Sequence, residues 1–242
     1  MAYQAIFKRY EMKYMLTRSQ KAKLLQIMAP YMALDQYGRT TICNLYFDTD
    51  SYRLIRRSLE KPAYKEKLRV RSYGTAGPDT PVFVELKKKY EDVVYKRRVS
   101  MPNREAAAWL ERGEQPKNPS QITREIDYVC GYYDDLKPVV FLSYEREAFF
   151  ARDGGDFRVT FDENILCRED HLSLSEGAWG EKLLPDDLVL MELKTPGGIP
   201  LWMTRFLSQE HIYKTSFSKY GTAYKTLIFP EHHPKEGERK YA

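Results

Sequence analysis

The sequence predicts an α+β fold: an antiparallel sheet of about eight strands with helices packed against one side. Three observations predict it. Segments with a two-residue apolar/polar period recur along most of the chain. Several are joined by hairpin-length connections, which only antiparallel neighbours permit. Nearly all carry apolar side chains on one face and ionic ones on the other, as alternation along a strand requires. The clearest is Lys65-Glu66-Lys67-Leu68-Arg69-Val70-Arg71. As a strand it sends Leu68 and Val70 to the apolar layer. Lys65, Lys67, Arg69 and Arg71 then line the other face, roughly 7 Å apart along the strand. This pattern fits a solvated strand face or the wall of a polyanion site.

The elements follow in order. Tyr3 to Met15 alternates as a strand, with Arg9, Glu11 and Lys13 on one face. Thr17, with Gln20 three residues on, forms a capping pattern for a helix to about Ala29, ended by Pro30. Thr40 to Asp48 reads as a strand, and Asp48 to Leu59 as a turn and short polar connection, with Asp48 a turn former. The cationic strand ends near Tyr73, before a Gly- and Pro-rich loop. Pro81–Lys88 and Val93–Ser100 form a hairpin. In the first strand Val82, Val84 and Leu86 oppose Phe83, Glu85 and Lys87; in the second Lys96 and Arg98 share a face and Arg97 lies opposite. Asn103 is the expected N-cap of a short helix stopped by Gly113, and Ser120 caps a second helix with Ile122, Ile126, Val129, Cys130 and Tyr133 as its buried stripe. Val139–Phe150, Phe157–Asp162 and Leu188–Thr195 complete the strands. They place Val140, Leu142, Tyr144 and Arg146 on one face, with Tyr144 read as packing, and then Arg158, and Glu192 with Lys194, on ionic faces. Helices are expected over Pro200–Gln209 and Ser218–Ile228. Residues 1–229 read as one domain, and the polar tail from Pro230 to Ala242 as disordered.

Composition narrows the class. The chain has 242 residues, 43% hydrophobic and 30% charged, with a net charge of +5. These values fit a globular protein with an anionic partner. The cysteines, Cys43, Cys130 and Cys167, are odd in number and widely spaced, which reads as buried thiols of a reducing compartment. No apolar run reaches the ~20 residues needed to span a membrane, and the first residues lack a signal-peptide core. A cytoplasmic location is expected. The 19 tyrosines raise an RNA-binding reading. Aromatic and basic residues do not interleave on one element as stacking platforms would, so no nucleic-acid partner is expected.

The ionic face collects Arg9, Glu11, Lys13, Lys65, Lys67, Arg69, Arg71, Glu85, Lys87, Lys96, Arg98, Arg146, Arg158, Glu192 and Lys194. An open sheet would leave it to solvent. A closed barrel would enclose it, which its cationic excess permits only with water, phosphate and a metal inside. Phosphoryl transfer fits these residue types. It needs the phosphate oxygens held and neutralised, by bidentate Arg, by Lys and by metal, and little covalent help. Glu192, with Glu85 or Glu11, offers hard oxygen ligands for Mg²⁺ or Mn²⁺. A terminal phosphate oxygen is already ionised, so no general base is required. His171, His211, His232 and His233 are read as non-catalytic.

Several motifs occur in order: Glu11-x-Lys13, Lys67-Leu68-Arg69-Val70-Arg71, Glu85-x-Lys87, Lys96-x-Arg98, Tyr144 to Phe149, Arg158 to Asp162, Glu192-Leu193-Lys194 and Ser216 to Tyr220. Over roughly residues 5–229 the chain resembles the VTC domain, the polyphosphate polymerase domain of the triphosphate tunnel (CYTH-like) superfamily, in its stand-alone bacterial type. The resemblance implies a closed antiparallel eight-stranded barrel with helices outside. It also implies transfer of the ATP γ-phosphate to a growing polyphosphate chain with a divalent metal, often manganese. Lys67, Arg69, Arg71, Lys87, Arg146 and Arg158 would be the catalytic cations. Lys13, Lys65, Lys96, Arg98, Lys194, Ser218 and Lys219 would bind substrate, and Glu192 would be the metal ligand. ATP and inorganic polyphosphate or pyrophosphate are the implied partners, and membrane-associated partners fit the family. Hydrolysis of triphosphate or polyphosphate, and non-catalytic polyanion binding, are the alternatives.

Overall fold

A computed structural model describes residues 10–91 and 93–232. Ten strands occur among them: β1 (Tyr10–Thr17), β2 (Met32–Asp48), β3 (Tyr64–Tyr73), β4 (Pro81–Tyr90), β5 (Val93–Pro102), β6 (Lys137–Ala151), β7 (Arg158–Arg168), β8 (Glu181–Lys182), β9 (Leu188–Thr195) and β10 (Lys214–Thr215). The helices are α1 (Arg18–Met28), α2 (Arg53–Leu59), α3 (Asn103–Arg112), α4 (Gln121–Tyr133), α5 (Leu201–Gln209), α6 (Lys219–Ala223) and α7 (Phe229–His232), with a π-helical stretch over Tyr224–Ile228. The fold is thus α+β, and the pairs β1·β10, β1·β9, β3·β4, β4·β5, β7·β8 and β7·β9 are all antiparallel.

The hydrogen-bonded order is β10-β1-β9-β7-β6-β2-β3-β4-β5, with β8 beside β7. The expected closed barrel of eight strands is therefore not what these residues form: the path has two ends, β5 and β10. Two of the ten strands, β8 and β10, are two-residue pairings too short to carry a period-2 signal. At the other end β5 is a largely exposed edge carrying Lys96, Arg97 and Arg98, charges that discourage further strand addition.

The chain divides into two compact units. The first comprises Met1–Ile42, Tyr144–Ile165 and Leu184–Phe217. Its core sets Tyr14 and Leu16 of β1, Val159 and Phe161 of β7, and Val189, Met191 and Leu193 of β9 against Leu24 and Met28 of α1 and Met203 and Phe206 of α5. Helix α1 starts as its sequence dictates: Thr17 accepts from the Gln20 amide while the Gln20 side chain accepts from the Thr17 amide. The second unit comprises Cys43–Ser143, Leu166–Leu183 and Ser218–Ala242. Its core sets Leu68 and Val70 of β3 and Val82, Val84 and Leu86 of β4 against Trp109 of α3 and Ile126 and Val129 of α4. In both, the period-2 apolar positions are the buried ones, and the ionic positions occupy the other face of the same strands.

Local departures have local causes. The stretch expected as a polar connection after Asp48 contains α2. The fully buried Asp48 carboxylate accepts from the Leu54 and Ile55 amides of the first turn and from Tyr220 Oη, and Leu54 and Ile55 bury in the core. The Asp48 side chain thus ties the end of β2 to the start of α2 and to Tyr220 rather than forming a turn. Asn103 is the first residue of α3 rather than its cap, because Pro102 takes the cap position and the Asn103 side-chain Nδ2 donates to Ala76 O and Ser175 Oγ. Strand β2 begins at Met32, not near Thr40. Of the expected tail, Pro230–His232 lies in α7. The rest of that tail, His233, Arg9 and the start of the first expected strand lie outside the described residues.

Candidate functional site: two ionic clusters

In the second unit, register turns the cationic strand into a cationic surface. Lys67 of β3 stands opposite Lys87 of β4, which stands opposite Lys96 of β5; the next row is Arg69, Glu85, Arg98. Lys65 and Lys89 form a row on one side, and Arg71 and Phe83 on the other. Directly opposed residues share a face. These strands therefore present eight cations, Lys65, Lys67, Arg69, Arg71, Lys87, Lys89, Lys96 and Arg98, around one carboxylate, Glu85. Arg97, on the other parity, turns away and pairs with Glu125 of α4 at 2.9 Å.

Glu85 is the hub of this face. Its side chain is 1% exposed. Arg69 Nη2 lies 2.7 Å and Arg71 Nε 4.0 Å from Oε2, while Lys96 Nζ lies 2.8 Å and Arg98 Nε 2.9 Å from Oε1. Burial alone would raise the Glu85 pKa. The charges of Arg69, Arg71 and Lys96 overcome it and hold the carboxyl far below the usual range. The guanidinium groups are also fixed from behind: Arg69 donates to Tyr46 Oη at 2.9 Å, Arg71 to Asn44 Oδ1 at 3.0 Å, and Arg98 lies 3.9 Å from the Phe83 ring centroid. Lys67 donates to Ser218 Oγ at 3.1 Å, and the same hydroxyl accepts from the Gly221 amide, so Ser218 is both the cap of α6 and a lysine anchor.

The lysines bear the cost of this crowding. Partial desolvation, opposed by Glu85 but reinforced by Arg71 and Arg69, pushes Lys96 down to about 8 from its ordinary 10.5. Lys65 is lowered by burial and by Lys89, Lys87 and Lys61. A depressed lysine pKa means the folded protein loses that proton before the unfolded chain does. The Lys96 contribution therefore raises the stability of the free protein as pH climbs from 8 to 10.5. A bound polyanion reverses the shift. Tripolyphosphate should bind with uptake of a proton near pH 8, and its affinity should fall as pH rises through that value. Calorimetric titrations in buffers of different ionisation enthalpy read the uptake directly, and pH-independent binding with no proton exchange between pH 7 and 9 would contradict it.

In the first unit a second cluster forms on the ionic face of β1, β9 and β7. Lys13, Glu192 and Thr160 stand in one row, and Glu11, Lys194 and Arg158 in the next. Arg146 of β6 clasps the fully buried Asp162 through two bonds, Nε to Oδ1 at 2.6 Å and Nη2 to Oδ2 at 2.7 Å, and reaches Glu192 Oε2 at 3.5 Å. Lys13 Nζ lies 3.6 Å from Glu192 Oε1 and donates to Phe217 O at 2.6 Å. Tyr144 is buried, with the Arg146 guanidinium 5.1 Å from its ring centroid.

The expected site residues thus fall into two groups. Lys65, Lys67, Arg69, Arg71, Lys87, Lys96, Arg98, Glu85 and Ser218 come together in the second unit, where Lys219 begins α6 half-buried. Lys13, Arg146, Glu192 and Lys194 come together in the first. Arg158 and Glu11 lie at the exposed end of that cluster, with Arg158 3.9 Å from Asp156. The carboxylates differ in their fitness for a metal. Both Glu85 oxygens stand at ion-pair distance from cations, Oε2 from Arg69 and Oε1 from Lys96 and Arg98. Glu192 meets Lys13 at 3.6 Å and Arg146 at 3.5 Å. Among the described residues no three His, Cys, Asp or Glu side chains form a cage. One carboxylate completed by phosphate and water is nevertheless an ordinary Mg²⁺ or Mn²⁺ environment, and Glu192 fits it. Asp162, Asn44 and Tyr46 were not singled out as functional. Each acts by orienting an arginine, and only the spatial pairing of strands reveals that.

A sequence model of the VTC domain matches residues 8–228. The chain belongs to the VTC domain family. This VTC domain shares its fold with solved structures of low sequence identity. A proposed adenylate cyclase from Bacillus halodurans is 15% identical, with a TM-score of 0.54, covering 86% of this chain and 92% of that one. A proposed adenylyl cyclase from Hippeastrum, described as having a dominant triphosphatase activity, is 16% identical, with a TM-score of 0.52, covering 90% and 95%. No helix among the described residues of the VTC domain is long and apolar enough to cross a membrane.

Proposed function

We propose that this VTC domain is a polyphosphate polymerase, transferring the γ-phosphate of ATP to the end of an inorganic polyphosphate chain. One observation carries the reading: the face of β3, β4 and β5 sets eight cations around a single carboxylate. Like charges in opposed positions destabilise a sheet, so a face built this way is relieved by a polyanion whose charge repeats at short intervals. Arg69, Arg71 and Arg98, braced by Glu85, Tyr46, Asn44 and Phe83, hold phosphate oxygens in fixed directions. Lys67, Lys87 and Lys96 supply mobile charge.

In the transfer itself, an ionised oxygen of the chain's terminal phosphate attacks the γ-phosphorus. The bond to the β–γ bridging oxygen breaks, and ADP leaves with that electron pair. Arg146 and Lys13 are suited to neutralise equatorial oxygens as charge shifts, a stabilisation that positioned donors provide without reorganisation. A divalent ion at Glu192 would add neutralisation on the triphosphate. No histidine is needed, and His232 is engaged with Glu169 at 3.0 Å.

Triphosphate hydrolysis is the second reading, favoured by the triphosphatase activity described for the Hippeastrum protein of the same fold. Purified protein with ATP and Mn²⁺ distinguishes them. The polymerase reading expects ADP and an acid-labile polymer resistant to proteinase and nuclease. Orthophosphate without polymer would establish the hydrolase, and tight binding with neither product a polyanion-binding module.

A further inference from the structure

Thr160 carries an unexplained hydroxyl. It stands directly opposite Glu192 on β7 and shares the ionic face with Asp162, two residues on. Thr160 is 7% exposed, and its Oγ1 is shielded from solvent with no hydrogen-bond partner among the described residues. A buried hydroxyl without a partner costs stability that an isosteric valine would not. The flanking residues Val159 and Phe161 are strand formers of the core face, so the strand itself does not demand a hydroxyl here. The neighbouring carboxylates are otherwise employed: Asp162 receives both forks of Arg146, and Glu192 faces Lys13 and Arg146.

What this neighbourhood offers is a hydroxyl donor directly opposite Glu192, whose carboxylate meets two cations, Lys13 at 3.6 Å and Arg146 at 3.5 Å. A phosphate group is all acceptors, and it is the ligand that uses every one of them. We propose that Thr160 is a phosphate-binding residue whose Oγ1–H donates to a non-bridging oxygen of a phosphate seated against Lys13 and Arg146. The inference rests on the reading of this VTC domain as a binder of phosphate chains, and it names a residue of that site outside the charged set.

The test is calorimetric titration with inorganic tripolyphosphate, without metal or nucleotide, alongside melting of the free protein. Thr160→Val should lower tripolyphosphate affinity about tenfold, while the free variant melts at or above the wild-type temperature. Thr160→Ser should stay within roughly threefold of wild type, since it keeps the hydroxyl. If Thr160→Val fails to fold, Thr160→Ser and Thr160→Ala give the same contrast, because they too differ by the hydroxyl alone. Equal tripolyphosphate affinity in the hydroxyl-bearing and hydroxyl-free variants would overturn the proposal and leave the polymerase reading standing. Failure of the wild-type protein to bind tripolyphosphate at all would overturn both.

Discussion

Glu85→Gln should destabilise the free protein by about 2–4 kcal/mol and, in the same molecule, tighten its hold on tripolyphosphate. Removing one member of a buried ion cluster costs about 3–5 kcal/mol because its partners remain charged and unneutralised. Lys96 and Arg98 keep a third or more of their side-chain surface in water, which screens part of that cost. For a chain of this size the loss corresponds to a fall in Tm of roughly 5–15 °C. The affinity should move the other way, by roughly tenfold at low salt, since the anion no longer competes with an internal carboxylate. Saturating tripolyphosphate should restore most of the lost Tm. A variant with unchanged Tm would show that Glu85 is not the counter-ion of this face. A less stable variant with weaker phosphate binding would show that Glu85 positions the arginines more than it neutralises them.

Glu192→Gln should abolish metal-dependent turnover, by two orders of magnitude or more, and leave the fold intact. The substitution keeps the shape and removes the charge that suits Glu192 to a divalent ion. Lys13 and Arg146, which meet Glu192 at 3.6 and 3.5 Å, retain other bonds, to Phe217 O and to Asp162. The two cations would also face a phosphate without an intervening carboxylate, so metal-free tripolyphosphate binding should persist or strengthen. Turnover close to wild type at saturating Mn²⁺ would show that Glu192 does not hold the metal.

Both variants mark what a sequence can and cannot show. The alternation in Lys65–Arg71 is enough to put four cations on one face, and the same parity separates Lys96 and Arg98 from Arg97, as the contacts to Glu85 and Glu125 bear out. The role of Glu85 needs the register of β3, β4 and β5, which no local pattern encodes. Glu-x-Lys on one strand reads equally as metal ligand or ion pair until the neighbouring strands are in place. Helix α2 was hidden because its N-terminal carboxylate, Asp48, sits five residues before Arg53, beyond the span of a local capping motif. The capping boxes at Thr17 and Ser120 lie within three residues and were legible. The two-residue strands β8 and β10 exist only through their partners.

The pairing of β4 with β5 also sets which changes of length the chain can survive. A single residue inserted within β5, between Val93 and Lys96, would shift the segment beyond it by one and rotate it to the opposite face. Lys96 and Arg98 would then turn from Glu85 toward α4, while Arg97, Val99 and Met101 would turn out of their places against α4 and the core. Two residues inserted or removed together would keep the alternation and cost only length. Across descendants of this sequence, the hairpin arm should therefore vary by even numbers. An odd change should survive only with a compensating bulge that absorbs the extra residue before Lys96.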